Sequence, residues 1–208
     1  ERDIPLLGVN LGHVGFLSEV ERSKISDVIQ AIIDKSYVID PRITLGYTVV
    51  RDGKVVANGW ALNEVTVERE KATMVELFLE IDNRPISRWG CDGLICSTPT
   101  GSTAYSLSGG GPILTPDLDA VTLVPMFPHT LSSRPLVVSG NSEIRLKVAS
   151  TNDAHLQISC DSHVILAVMP GDDIYIRKHP TPLRLVHPPG YSYFHVLRNK
   201  LGWGSKLY

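Results

Sequence analysis

Residues 91–116 read CDGLICSTPTGSTAYSLSGGGPILTP. The stretch begins as a strand, with Leu94, Ile95 and Cys96 in an apolar run, and changes character at Ser97. From there to Pro112 nearly every residue is a hydroxyl carrier, a glycine or a proline, and no side chain is charged. An ordinary surface loop carries Lys, Glu or Asp for solvation. Small hydroxyls and bare backbone N–H groups instead suit the wrapping of an anionic or polyhydroxylated ligand at close range. Gly101 and the Gly109-Gly110-Gly111 run let the backbone approach such a ligand or take positive φ. Thr103 to Leu107 can start a short helix whose N–H groups point at a phosphate, and Tyr105 offers an aromatic face to a flat ring. On composition alone, a long polar connection between two strands fits the same residues.

Working outward, the flanks are dominated by a period of two. Tyr37–Ile39, Ile43–Arg51, Lys54–Glu68 and Met74–Ile81 alternate or run apolar, rich in β-branched residues. Asp52-Gly53 predicts a type I′ hairpin turn, and Asp82-Asn83 a second turn, with Arg84–Arg88 returning towards the polar stretch. After it come Val121–Met126, Leu136–Val138, Glu143–Val148, His155–Cys160, His163–Val168, Asp172–Arg177 and Pro182–Val186, punctuated by Asn, Asp, Ser and Pro-Gly turns. Many short strands and few helices predict a mainly β chain. The expected fold is an antiparallel two-sheet, sandwich-like domain over residues 37–190.

The two ends read differently. Ile4–Val9 looks like a buried parallel strand, followed by glycines at 8, 12 and 15 whose spacing is not that of a G-x-G-x-x-G fingerprint. Ser23 is placed to cap a helix running to about Lys35, with Ile25, Val28, Ile29, Ile32 and Ile33 on one face. Residues 1–36 are therefore expected to be the end of an α/β domain whose earlier part is missing. In the tail, 191–208, Phe194, Leu197 and Leu201 have helical spacing and Gly202 can end the helix, which is expected to pack on that N-terminal domain.

Composition narrows the function. The 208 residues, 43% hydrophobic and 20% charged, are those of an ordinary globular chain. A net charge of −2 with scattered Lys and Arg gives no nucleic-acid footprint. There is no apolar run of about 20 residues for a membrane span, and residues 1–10 do not read as a secretory signal. Cys91, Cys96 and Cys160, odd in number and beside apolar runs, read as reduced, half-buried thiols of a cytoplasmic protein. No C-x-x-C pair is present and the seven His are dispersed, so no metal site is expected.

One further pair carries chemistry. Asn63-Glu64 lies within WALNEVTV, read as strand, so that one of the two points to the core face and needs a hydrogen bond or a function. An adjacent amide and carboxylate could hold an adenine edge and a ribose diol. A place at a strand end facing water is equally compatible with the residues.

The string STPTGSTAYSLS followed by GGP, together with ALNEV and FPHTLSSRPLVV, resembles the NAD kinase family over almost all of this chain. The resemblance implies phosphorylation of the adenosine-ribose 2′-hydroxyl of NAD to give NADP, with ATP as donor and Mg²⁺ or another divalent cation as cofactor. It assigns Asn63, Glu64 and Thr103, Ala104, Tyr105, Ser106, Leu107 and Ser108 to the dinucleotide, and Asp92 to substrate, at the nicotinamide amide. Gly90 is the position where some members carry Arg and where the choice between oxidised and reduced dinucleotide is made, which leaves tolerance of NADH open. Asp161-Ser162-His163 stands where many members have Asp-Gly-Gln, so His163 replaces the glutamine contact; a turn Asp beside an exposed His fits the residues as well. His129 and Arg134 are read as holding the polar stretch in place. Homodimers or homotetramers built through the β-domain are implied too.

The family's Gly-Gly-Asp-Gly string, whose Asp is the implied base, is absent from these residues. The chain is thus expected to hold most of the acceptor site without a catalytic residue, and to be inactive alone. A catalytically silent dinucleotide-binding module and a lipid kinase of related fold are the alternatives.

Overall fold

The computed structural model describes residues 4–11, 16–18, 20–70, 75–130, 132–150 and 156–203. Gly12, Gly15, Met74, Leu131, His155 and the last five residues of the tail lie outside the described residues. In chain order the elements are β1 (Val9–Asn10), β2 (Val20–Glu21), α1 (Ile25–Ile33), β3 (Val38–Arg42), β4 (Leu45–Arg51), β5 (Lys54–Ala61), β6 (Glu64–Arg69), β7 (Val75–Ile81), β8 (Arg84–Cys91) and β9 (Gly93–Ser97). There follow α2 (Tyr105–Ser108), β10 (Ala120–Met126), β11 (Leu136–Ser139), β12 (Ile144–Val148), β13 (Leu156–Cys160), β14 (His163–Val168), β15 (Asp173–Lys178), β16 (Leu183–His187) and α3 (Tyr193–Leu201). They fall into two compact units, residues 43–181 and residues 1–42 with 182–208.

The larger unit is two six-stranded sheets. Sheet I runs β11-β10-β9-β6-β13-β14 and sheet II runs β5-β4-β15-β12-β7-β8. Every neighbouring pair in both is antiparallel. The expected mainly β, two-sheet fold is the one found. Alternation builds it: in β7, Val75, Leu77, Leu79 and Ile81 are buried, while Glu76, Phe78 and Glu80 between them are part-exposed. Leu77, Leu146 and Ile174 of sheet II meet Leu94, Leu123 and Ile158 of sheet I in one fully buried core. Two-residue turns join many strands. Asp52-Gly53, Asp82-Asn83 and Asp161-Ser162 all have positive φ at both positions, the signature of type I′, which matches strand twist. The three cysteines are free, and they are buried rather than half-buried because each sits on a strand inside the fold.

One expectation needs correcting where it matters. Residues 54–68 are not a continuous strand. The chain leaves sheet II at Ala61 and enters sheet I at Glu64, with Leu62 and Asn63 as the corner. The apolar alternation runs through the corner because both sheets face the same core.

In the smaller unit β3 pairs antiparallel with β16, and β1 parallel with β2. Of the expected Ile4–Val9 strand only Val9 is paired as a strand, with Asn10 beyond it; Ile4 and Leu6 are about half exposed, with Leu6 bridging to Leu185. Ser23 does not cap α1. Its hydroxyl donates to Glu21, 3.3 Å away, and a 3₁₀ turn over Arg22–Lys24 leads into the helix. Of the apolar face of α1, Val28 is buried, while Ile29, Ile32 and Ile33 are exposed. Gly202 closes α3 in the left-handed conformation, φ +66, with the Trp203 N–H on the Arg198 carbonyl.

Candidate active site

Sheet I buries both of its faces at its centre. All five residues of β9 are buried: Leu94 and Cys96 enter the core, and Ile95 and Ser97 point to the opposite face. That outer face is covered by the charge-free stretch which follows β9. A Cβ on Gly109 would touch Val124 and Ile95, so the triple glycine lets the backbone lie directly on the sheet. This is why the stretch has no charges: much of it is packed, not solvated.

Many of its hydroxyls turn inward. Thr98 Oγ1 donates to the Leu62 carbonyl at 2.6 Å and accepts from the Gly101 N–H at 3.1 Å. Ser102, fully buried, donates to the Pro99 carbonyl at 2.6 Å and accepts from the Leu114 N–H at 3.0 Å. Thr103 Oγ1 donates to the Thr100 carbonyl at 3.3 Å. The segment expected to cradle a ligand is thus a self-bonded shell over Gly101–Thr103 (a 3₁₀ turn) and α2. Tyr105 and Ser108 remain exposed on it, with Thr103, Ala104 and Leu107 part-exposed. Ser106 is fully buried, its hydroxyl without a partner, and a Cβ at position 111 would collide with it, so Gly111 is needed there.

The corner residues meet this shell. Glu64 pairs with Ser97 across β6 and β9, and Ser97 pairs with Thr122 of β10, so three polar side chains form one row on the covered face. Thr66 and Ser159 sit in the neighbouring row. Glu64 is only 3% exposed. Burial and then the nearby Asp161 carboxylate push its carboxyl up to about 7, against a hydrogen bond from the Tyr105 N–H that favours the charged form. Its Oε2 has no partner, and neither have the hydroxyls of Thr122, Ser159 and Ser106. A cluster of buried polar atoms without partners is a departure from the usual rule that a ligand would repair.

Asp161 organises the corner. Its Oδ2 accepts from the Leu62 N–H at 2.8 Å, and its Oδ1 from the Asn63 and Glu64 N–H groups at 2.7 and 3.3 Å. The Asn63 carbonyl accepts from the Thr98 N–H at 2.9 Å. His163, exposed at the start of β14, places Nδ1 3.0 Å from the Asp161 carbonyl. In the sequence Asp161 stands in the string at the family's Asp-Gly-Gln position or in a turn; its hold on three N–H groups about a hundred residues away in the chain has no local signal.

Asn63, Glu64, Thr103 to Ser108 and His163 therefore gather at one end of sheet I, where β6 begins and β9 and β13 end. Gly90 and Asp92 lie at the other end of β9. About 3.3 Å per residue puts Asp92 ~16 Å from Ser97 along the strand. Asp92 forms an ion pair with Arg69 at 2.6 Å, a partner the sequence did not suggest. The Gly90 carbonyl accepts from the His129 N–H at 3.0 Å. Arg134 Nη1 donates to the neighbouring Ser133 carbonyl at 2.8 Å. Among the described residues no three His, Cys, Asp or Glu side chains are grouped to hold a metal ion, and no helix is long and apolar enough to cross a membrane.

A two-sheet β domain with a buried carboxyl, partnerless hydroxyls and an exposed tyrosine on a glycine-rich shell has the features of a binding domain for a polar ligand. The comparisons narrow it. Residues 62–188 match the ATP-NAD kinase C-terminal domain, and residues 1–37 match the ATP-NAD kinase N-terminal domain. The NAD kinase of Pseudoalteromonas translucida is 51% identical over 99% of this chain and 70% of its own length, and that of Colwellia psychrerythraea 51% over 99% and 71%. Among solved structures, yeast NADH kinase complexed with NADH superposes with a TM-score of 0.90 at 30% identity, over 97% of this chain and 60% of that one. An Archaeoglobus fulgidus NAD kinase in complex with ATP gives 0.74 at 26% identity, over 96% and 73%. The chain belongs to the NAD kinase family of phosphotransferases.

Proposed function

We propose that the Glu64 end of sheet I binds the adenosine half of NAD for transfer of the ATP γ-phosphoryl group to the ribose 2′-hydroxyl, giving NADP. The observation that carries this is Glu64: a buried carboxyl with one oxygen unpartnered, at the edge of a shell whose exposed aromatic is Tyr105. A purine ring stacked on Tyr105 would bring its ribose within reach of Glu64 and Asn63. Thr103, Ala104, Leu107 and Ser108 would line the ligand, and Ser106 would support the shell from beneath. His163 would close the site beside Asp161, and Asp92 with Gly90 would meet the nicotinamide end. Phosphoryl transfer is chiefly positioning and charge stabilisation. A divalent cation would arrive on the triphosphate and neutralise its charge, since the described residues group no ligand set of their own.

Two further readings belong to the same proposal. The edge strand β14 is uncharged, with Val164 and Ile165 exposed, which supports assembly into a homodimer or homotetramer. The buried free thiols support a reducing, cytoplasmic setting. The test is NADP formation from NAD and Mg-ATP, read with an NADP-specific dehydrogenase. Formation that is lost in Glu64→Ala upholds the site. Binding of NAD without phosphorylation would leave a dinucleotide-binding module, and binding of neither nucleotide would defeat the proposal.

A further inference from the structure

Glu64 and Asp161 are two carboxyl groups held at one corner. Asp161 cannot move away, because Leu62, Asn63 and Glu64 all donate backbone N–H groups to it, and because it sits in a two-residue turn with φ of +47 and +66 at Asp161 and Ser162. Glu64 is only 3% exposed, so little water solvates its carboxyl in the free protein. The groups that act on Glu64 are the Asp161 carboxylate from the β13–β14 turn and the Tyr105 N–H from α2; Cys160 of β13 lies close enough to feel its charge, as does the Tyr105 hydroxyl, which also feels Glu68 of the same strand. Among the described residues no cation is one of the groups acting on Glu64. Two adjacent carboxylates in a dry site are not both ionised without cost, and a dinucleotide's pyrophosphate brings further negative charge.

We propose that Asp161 is a positioning residue that fixes the Leu62–Glu64 corner and, by its charge, keeps the Glu64 carboxyl protonated in the dinucleotide complex, so that Glu64 meets its ligand as a neutral hydrogen-bonding acid. The proposal rests on the dinucleotide reading of the site. A protonated carboxyl has both a donor and an acceptor to offer the ligand, where a carboxylate only accepts. The raised position of Glu64 in the free protein agrees with the geometry. Ligand binding then favours the protonated form further, and affinity must fall as pH rises through neutrality.

The experiment is the dissociation constant of NAD for the full chain from pH 6 to 8.5 at constant ionic strength, in the wild type, Glu64→Gln, Asp161→Asn and His163→Gln. The wild type should weaken with rising pH, by up to ~10-fold per pH unit at its steepest for one linked proton. Glu64→Gln should be flat. In Asp161→Asn, which keeps a side-chain oxygen for the N–H donors, the weakening should begin at lower pH, a displacement that loss of rigidity alone would not cause. His163→Gln should keep the wild-type slope. A slope that persists in Glu64→Gln, vanishes in His163→Gln, or is absent or reversed in the wild type overturns the inference. If Asp161→Asn does not fold, the other three proteins still decide. NAD binding with a flat wild-type profile removes this inference alone; no NAD binding at any pH removes the dinucleotide reading with it.

Discussion

Sheet I and sheet II share one core and have six strands each, but their outer faces follow different rules. Sheet II meets water with ion pairs. Arg145 joins Glu80 and Asp173, each at 3.0 Å, and lies over the Tyr175 ring; Arg88 joins Glu76 and lies over Phe78; Arg177 joins Glu143. Each side chain is paired and in contact with water, with Arg88 and Arg177 exposed and the others part-exposed. Sheet I has a covered outer face, with Glu64, Ser97 and Thr122 in one row and several polar atoms left without partners. Charged pairs in water contribute little, whereas buried polar atoms without partners cost stability. The sheet that bears this cost is the one on which the nucleotide site is proposed, as expected where function and stability compete.

The comparison can be broken most forcefully at Gly101. A Cβ there would collide with the Asn63 carbonyl, and backbone has nowhere to go. Gly101→Ala should abolish NADP formation and destabilise by about 3 kcal/mol. At Gly171, next to sheet II, the added carbon meets nothing and only the positive φ of +89 is strained, so Gly171→Ala should cost about 1 kcal/mol and leave activity intact. Denaturant melts with parallel activity assays check both. Asp161→Ala comes next. Leaving three corner N–H groups without their acceptor should cost about 2 kcal/mol and raise the KM for NAD.

The pH dependence of stability sharpens the contrast. Burial and then the Asp161 carboxylate push the Glu64 carboxyl up from its ordinary 4.5 to about 7 in the folded protein, so the folded state holds the proton more tightly. Its contribution is fully present below about pH 4.5 and is lost as pH rises to 7. Thermal melts should show the wild type losing stability relative to Glu64→Gln across that window. A constant difference between the two would mean that Glu64 is not desolvated in solution.

Smaller effects are expected from the remaining changes. Thr122→Val replaces a buried, partnerless hydroxyl by a methyl, and should be neutral or stabilising by up to ~1 kcal/mol. A loss of stability there would place an ordered water in the row. Arg145→Met on the outer face of sheet II should cost under about 1 kcal/mol and leave NADP formation unchanged.

Much of this was legible in the residues. Alternation in β4, β7 and β12 and the paired turn residues at 52–53 and 82–83 define a two-sheet β fold without any long-range knowledge. The strings around Tyr105 and Asn63-Glu64 name the family. Less legible was which hydroxyls serve a ligand. Thr98 and Ser102 look like Thr103 and Ser108 in the sequence, yet the first two bond the backbone beneath them and Ser108 stays exposed. The cap expected at Ser23 failed because Ser23 lies inside the 3₁₀ turn Arg22–Lys24, which leaves Lys24 at the start of the helix.

By itself the sequence determined the strands, the inward set of each, the tight turns and the family, because these depend on side-chain period and on local backbone preference. Only the tertiary structure decided that the chain changes sheets at Leu62–Asn63, that Asp161 grips that corner from the β13–β14 turn, and that Arg69 faces Asp92. The physical reason is that alternation says which way a side chain points but not which strand lies beside it. Register and neighbours are set by the pairing of distant segments and by burial of a shared core.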